Sequence, residues 1–390
     1  MRILLSTIGL GSPIKDTNGK IVDWAYKPTT YFCNPPYQPV KEAANYHQPI
    51  LFQGIEAEEL WLVGTVDAKK WHAPRIRHDR FIDIPKGMDD AEFWQMFNAI
   101  TTAMDDLRRL HTGADAPPHE IHLDLTHGFR VQPVFLLEAV RYACQLWPKH
   151  LRLAEVHYSF YEHDDTTTPL RMVTPVLDMA SIAYDVRTFL ENGAGEPLAR
   201  HLDQLARKAN DQARERAAQR QIAGDQRSLG AIINEERNQD QATGLPVITG
   251  KLQSFANLVR LANAPAAAAV TQGLLHTIEE SREKLQGSLR PLGEALSALA
   301  DQLRPHLPKD PSPVWPWHAA LARWCLDRGL LQQALTHGEE ITTTRICETC
   351  NIDVCDKNIR GAISQKFLHT ALAENWKPWV DAVRYVKDLR

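Results

Sequence analysis

Apolar positions along the chain follow two patterns that change near Pro175. Before it, short apolar runs closing in polar loops alternate with longer stretches of helical spacing. Arg2–Thr7 (RILLST), Leu60–Thr65 (LWLVGT), Glu120–Leu125 (EIHLDL) and the aromatic-rich Leu153–Tyr161 predict strands. Asp89–His111 predicts a helix: it opens on acidic residues and carries Phe93, Phe97, Ile100, Met104 and Leu107 at helical spacing. Arg130–Trp147 predicts another, with Val134, Leu137, Val140 and Cys144 on one face. Strands separated by helices predict a mostly parallel sheet covered on both faces. Ligands of such sheets bind beyond the carboxyl ends of the strands.

From Ala180 onward the pattern predicts helices and no strand. They cover Ile182–Leu190, Leu198–Gln219, Lys251–Asn263, Ala266–Arg304, Pro316–Gly329, Leu331–Glu340 and Ala362–Leu389. Asn238–Gly250 reads as a loop and Pro305–Pro316 as a proline-rich connector. The boundary gives an α/β domain over residues 1–178 and an all-α domain over 179–390. A length of 390 residues, 44% hydrophobic and 24% charged, suits two globular domains. The net charge of −4 does not call for nucleic acid, so any such site is a local patch. Residues 200–240 hold many arginines nearly matched by acidic residues, which fits a solvated helix face or, alternatively, a nucleic-acid groove. No stretch approaches the roughly 20 apolar residues of a membrane span. The N-terminus lacks a signal-peptide pattern. Both point to a soluble cytoplasmic protein.

The stretch Asp124–Pro133 (DLTHGFRVQP) carries the most chemistry. A strand ends, a polar turn follows, and Arg130 opens a helix. Thr126 and His127 offer donors and acceptors, and Gly128 lets the backbone approach a ligand closely. The helix start favours an anion such as phosphate, and Arg130 suits a bidentate phosphate contact. The loop after the first strand, Ile8-Gly9-Leu10-Gly11-Ser12-Pro13, is a counterpart. Its glycines do not complete a G-x-G-x-x-G or Walker pattern.

RILLSTIGLGS, Lys27–Phe32 (KPTTYF), LWLVGT, DLTHGFRVQP and Thr174–Asp178 (TPVLD) occur in the order shown by the CARF–HEPN ancillary proteins of type III CRISPR systems. Ala320–Ala334 (ALARWCLDRGLLQQA) and Glu339–Glu340 are similar to that family's late helices. The resemblance touches nearly the whole length. It implies an α/β Rossmann-like CARF domain followed by an all-α HEPN-type helical domain. It further implies a homodimer that binds one cyclic oligoadenylate, tetra- or hexa-adenylate, across its two-fold axis. The family's ligand contacts fall on Ile8, Gly9, Gly11 and Ser12 and on Thr126, His127, Gly128, Phe129 and Arg130, with Thr29 and Thr30 as further candidates.

The same resemblance implies a HEPN domain that cuts single-stranded RNA without a metal cofactor. The expected motif is an arginine and a histidine four to six residues apart, often R-N-x-x-x-H. Residues 180–390 contain no such pair: Arg328–His337 and Arg360–His369 each enclose eight residues. Arg152–His157 has the spacing but falls in the first domain. The closing VKDLR resembles the helix that runs into the family's motif. The expectation is therefore that Arg390 is the catalytic arginine and that the natural protein continues into the histidine. Without that continuation, the alternative is a non-catalytic sensor or regulator. A third reading has the CARF domain cleave its own ring through His127.

Six cysteines make no disulfide framework. Cys347, Cys350 and Cys355 form C-x-x-C-x-x-x-x-C in a possible Cys-rich insertion at 345–360. They fit either a structural zinc completed by a residue such as His337 or His369, or unliganded thiols. Asp79, Asp83, Asp89 and Asp90 read as caps or flanks of helices, and His163-Asp164-Asp165 as a hairpin turn. Trp315, Trp317 and Trp324 read as packing residues.

Overall fold

The computed structural model describes residues 1–33, 40–110, 116–128, 131–159, 167–239 and 241–369. The chain falls into two compact units, Met1–Leu177 and Asp178–Arg390.

The first unit is built on a mixed eight-stranded sheet. Its parallel centre holds β1 (Arg2–Ile8), β6 (Glu59–Gly64), β7 (Arg80–Asp83), β8 (His119–Asp124) and β9 (Leu151–Ser159). In space they run β9-β8-β1-β6-β7. The chain therefore builds outward from β1 through β6 to β7, then returns to the other side of β1 with β8 and β9. That reversal makes the β1–β8 boundary the topological switch point. Beyond β9 lie β10 (Thr167–Met172), antiparallel to it, then β4 (Thr29–Cys33) and β5 (Lys41–Ala44). A separate hairpin pairs β2 (Ser12–Lys15) with β3 (Ile21–Ala25).

Side-chain alternation gives the sheet two buried faces. Ile3 and Leu5 of β1 join Trp61, Val63, Ile121 and Leu123 against α3 (Asp90–Arg109) and α4 (Gln132–Leu146). Leu4 and Ile8 face the other way, with Leu60 and Leu62, toward Ile50 and Leu51 of α1 (Gln48–Gly54) and Ala68 of α2 (Val66–His72). Asp89 caps α3 by accepting from Glu92 N–H. Asp79 instead accepts from the Leu60 N–H, and Asp83 ends β7.

The second unit is helical among its described residues. It holds α5 (Thr174–Asn192) from Asp178 onward, then α6 (Glu196–Ile222), α7 (Leu229–Gln239), α8 (Leu245–Arg260), α9 (Ala264–Lys284), α10 (Arg290–Leu303), α11 (Trp315–Asp327), α12 (Leu331–Thr349) and α13 (Lys357–His369). Phe189, Phe255 and Trp324 meet pairwise at 5.9–6.2 Å between ring centroids and anchor the core. Trp317 is buried, and its indole N–H donates to Asp310 O at 2.7 Å, pinning the proline-rich connector. In the arginine-rich stretch, Arg216 and Arg220 of α6 pair with Glu236 of α7, and Arg227 pairs with Asp225 and Glu235. These arginines already have acidic partners, as a solvated helix face requires.

Several boundaries differ from expectation. Pro246 does not sit in a loop: it occupies the first turn of α8, where its missing N–H costs no hydrogen bond. The long helix expected over 266–304 breaks between α9 and α10 around Gly287, whose φ is +58°. The buried face of α4 is Leu136, Ala139, Val140 and Ala143, while Val134 is 59% exposed. Its stripe rests partly on alanines, which a search for large apolar residues passes over. The last expected helix begins earlier, at Lys357, and residues beyond 369 lie outside those described. Among the described residues no helix is long and apolar enough to cross a membrane.

In the second unit, His318 of α11 and His337 of α12 are buried with their Nδ1 atoms 3.1 Å apart. Burial pushes the pKa of His318 down to about 3 and that of His337 down to about 4. Both are therefore neutral when folded, whereas the unfolded chain takes up protons below about 6.5. The stabilisation is complete above pH 6.5 and falls as pH drops toward 4. Hydrogen exchange of peptides from α11 and α12, corrected for intrinsic rates, is expected to lose protection between pH 7 and 5. His337→Gln is expected to remove about half of that dependence.

Candidate functional site

The polar end of the sheet is organised by a carboxylate. Residues of β8 alternate, so Ile121 and Leu123 face the helices while His122 and Asp124 face the opposite side. Asp124 lies beside Ser6 of β1 and is fully buried. It accepts hydrogen bonds from the Ser6 hydroxyl and from the Thr126 hydroxyl and N–H, and His47 Nε2 stands 2.7 Å from its Oδ2. Burial alone would raise its pKa. The opposing pull of His47 and of the two hydroxyls outweighs that and holds Asp124 well below the usual carboxylate range. One side chain thus ties the ends of β1 and β8 to the residue preceding α1.

The two strand-end loops expected to form a ligand site do meet, at the switch point. A Cβ built on Gly9 would lie 3.1 Å from Gly128 N, so the backbones touch where both residues lack side chains. Gly128 has φ +106° and is exposed. Gly11 has φ +70°, and a Cβ there would strike Ala25 O at 2.6 Å. No side chain caps α4, whose first turn contains Pro133.

A cluster of rings supports these loops. The Tyr26 hydroxyl donates to Gly9 O at 2.7 Å and accepts from Gly9 N–H at 2.9 Å. His72 Nε2 lies 2.9 Å from Leu10 O, and its Nδ1 meets the Tyr46 hydroxyl at 3.0 Å. His127 stacks on Tyr26 with centroids 4.2 Å apart and tilts against His47 at 4.8 Å. Enclosure by these rings, reinforced by His47, pushes the pKa of His127 down to about 3. At neutral pH it is an uncharged ring, and its Nε2 makes no hydrogen bond among the described residues.

The expected site residues differ in how far the fold already engages them. His127 and Gly128 lie at the meeting point with Gly9. The Thr126 hydroxyl is committed to the fold, donating to Asp124 and accepting from Ser159 N–H at 3.0 Å. The Gly9 peptide is likewise held by Tyr26. Ile8 is buried, and Ser12 begins the β2–β3 hairpin. Thr29 is buried, with its hydroxyl 3.1 Å from that of Thr168. It and Thr30 belong to β4, three strands from β8, which is about 14 Å at usual strand spacing. Phe129, Arg130 and Arg390 lie outside the described residues.

Cys347 is buried on α12, while Cys350 and Cys355 are exposed. Among the described residues the three thiols do not gather into a group that could hold a metal ion. Arg152 lies on β9, the same strand as His157, and pairs with Glu120 of β8.

Tyr26, His47 and His72, which sequence reasoning missed, come from the segments between β1 and the end of α2. Nothing local marks them, because their roles arise from long-range packing. Asp124 left a signal: an acid at the inner end of an apolar strand, where burial demands partners.

Tyr26→Phe leaves both polar groups of Gly9 without their partner. It is expected to cost about 1–3 kcal/mol and to raise amide exchange selectively at Gly9–Gly11. Unchanged exchange there would remove Tyr26 as the loop's clamp.

No curated protein matches the chain. Residues 84–165 match the family model described as "CRISPR system endoribonuclease Csx1, CARF domain". The matched stretch holds α3, β8, the Thr126–Gly128 loop, α4 and β9, so the N-terminal unit carries the CARF likeness on the β8 side of its switch point.

Proposed function

We propose that the N-terminal unit senses a cyclic oligoadenylate in a type III CRISPR defence response, and that the helical unit is a HEPN-type ribonuclease it controls. The observation that carries the reading is the meeting of Gly9 and Gly128 at the β1–β8 switch point, the latter within the CARF-like stretch. Two loops without side chains at their contact leave backbone accessible to a phosphodiester, and the uncapped start of α4 favours its charge. His127, neutral and half-buried, suits an adenine or ribose edge better than a phosphate. A homodimer would present this end of the sheet twice, as a symmetric ring requires.

Activation then follows from linkage: the ring must bind the active arrangement of the dimer more tightly than the resting one. In the HEPN reaction the 2′-hydroxyl of RNA attacks the adjacent phosphate. A histidine handles the proton, and an arginine stabilises the developing charge without a metal. The reading gives Arg390 that arginine's role. A second reading, a sensor without catalysis, is favoured by the lack of any Arg-x4–6-His pair within residues 180–390.

One experiment tests both. The chain, and a form extended to the next in-frame stop codon, are incubated with labelled single-stranded RNA, with and without cyclic tetra- or hexa-adenylate. The expected result is tight binding of one ring by both, and cleavage only by the extended form with activator. Binding without cleavage by either form selects the sensor. Failure of both rings to bind overturns the reading. Gly128→Val, which places a side chain at φ +106° against Gln132, is expected to weaken ring binding at least about tenfold while leaving the helical unit folded.

A further inference from the structure

We propose that His122, Glu155 and His157 form a binding site for a divalent transition metal, zinc foremost, between β8 and β9. The inference stands apart from the cyclic oligoadenylate reading and uses none of its ligand contacts.

The site depends on an irregularity in the sheet. His119, Glu120 and Ile121 pair with Leu151, Arg152 and Leu153, but His122 then pairs with Glu155 and Asp124 with His157. Ala154 is therefore an extra residue in β9. Before it, Leu151 and Leu153 belong to the helix-covered face; after it, Val156 does. The bulge inverts the alternation and turns Glu155 and His157 to the face that carries His122. Re-aiming of side chains is a known consequence of a bulge. Had Ala154 instead been paired in a regular pleat, Glu155 would point into the apolar layer under α3 and α4.

The result is two imidazoles and a carboxylate whose ligand atoms all lie within 4.8 Å of one another. Glu155 Oε2 stands 3.4 Å from His122 Nδ1 and 3.6 Å from His157 Nε2. Tetrahedral zinc with bonds of about 2.0–2.1 Å holds neighbouring ligand atoms about 3.3–3.4 Å apart. Both edges are therefore close to the span zinc requires. The His122 side chain is only 8% exposed, and neither of its ring nitrogens makes a hydrogen bond among the described residues. An imidazole so enclosed needs a partner, and a metal on Nδ1 supplies one. Two nitrogens and one carboxylate oxygen suit zinc and leave a fourth position open. Glu155, 20% exposed, gives the ion a path from solvent.

The full chain, stripped of metal, is titrated with Co²⁺ and then Zn²⁺. One Co²⁺ per chain is expected, with visible ligand-field bands, no strong thiolate charge-transfer band, and displacement by Zn²⁺. Zinc loading is expected to raise the unfolding temperature of the N-terminal unit. Glu155→Gln and His122→Asn are expected to weaken metal binding at least about tenfold. Replacing Cys347, Cys350 and Cys355 by serine should leave it unchanged, since those thiols are in the other unit. X-ray absorption of the zinc-loaded wild type gives a reading independent of any variant, with a nitrogen and oxygen shell containing two imidazoles expected. A sulfur-containing shell, loss of binding in the cysteine variant alone, or no stoichiometric metal overturns the proposal.

Discussion

A carboxylate as deeply buried as Asp124 survives in ionised form only if its surroundings replace the water it has lost. Removing an ion from water costs several kcal/mol even after relaxation. Asp124 meets that demand with the Ser6 hydroxyl, the Thr126 hydroxyl and N–H, and His47. Each partner comes from a different part of the chain. Satisfying one charge therefore fixes three things together: the register of β1 against β8, the path out of β8, and the seat of α1. The loops at the switch point take their positions from those constraints.

The same logic explains why some expected ligand groups are not available to a ligand. A polar turn after a strand looks, in sequence, like a row of free donors. In the fold, the Thr126 hydroxyl is taken by Asp124 and Ser159, and the Gly9 peptide by Tyr26. What remains accessible is backbone near Gly128, beside the half-buried ring of His127. Space restricts Gly9, whose Cβ would crowd Gly128 N, and conformation restricts Gly128, whose φ is +106°.

Strands β1, β6, β8 and β9 and the helices α3 and α4 were legible because each carries an apolar pattern long enough to read. The short pieces β2, β3, β4, β5, β7 and β10 were not. β2 and β5 lack an apolar run, while β4 and β10 are set by pairing with each other from segments far apart in sequence. The loops of the candidate site were found from local chemistry, a strand end followed by Thr, His and Gly. Tyr26, His47 and His72 were invisible, because their roles exist only once the segments between β1 and α2 have folded over the loops. The boundary at Pro246 failed for a different reason. Proline breaks a helix interior but suits a first turn, and composition alone does not tell the two apart.

The bulge at Ala154 shows how a single residue can decide the chemistry of a sheet face. Alternation along LRLAEVHYS, read straight through, sends Glu155 to the face of Leu151 and Leu153 and separates it from His122. The bulge, which leaves Ala154 unpaired, reverses this and gathers His122, Asp124, Glu155 and His157 on one side. A buried face this polar cannot be held by apolar packing. Its side chains must answer one another, as Asp124 does with its hydroxyls and His47, or answer an ion. The Asp124 half is satisfied within the chain, while His122 has no hydrogen bond among the described residues. A fold that re-aims a strand to place an acid between two imidazoles, and leaves one of them without a hydrogen bond, has the geometry of a site that a metal completes.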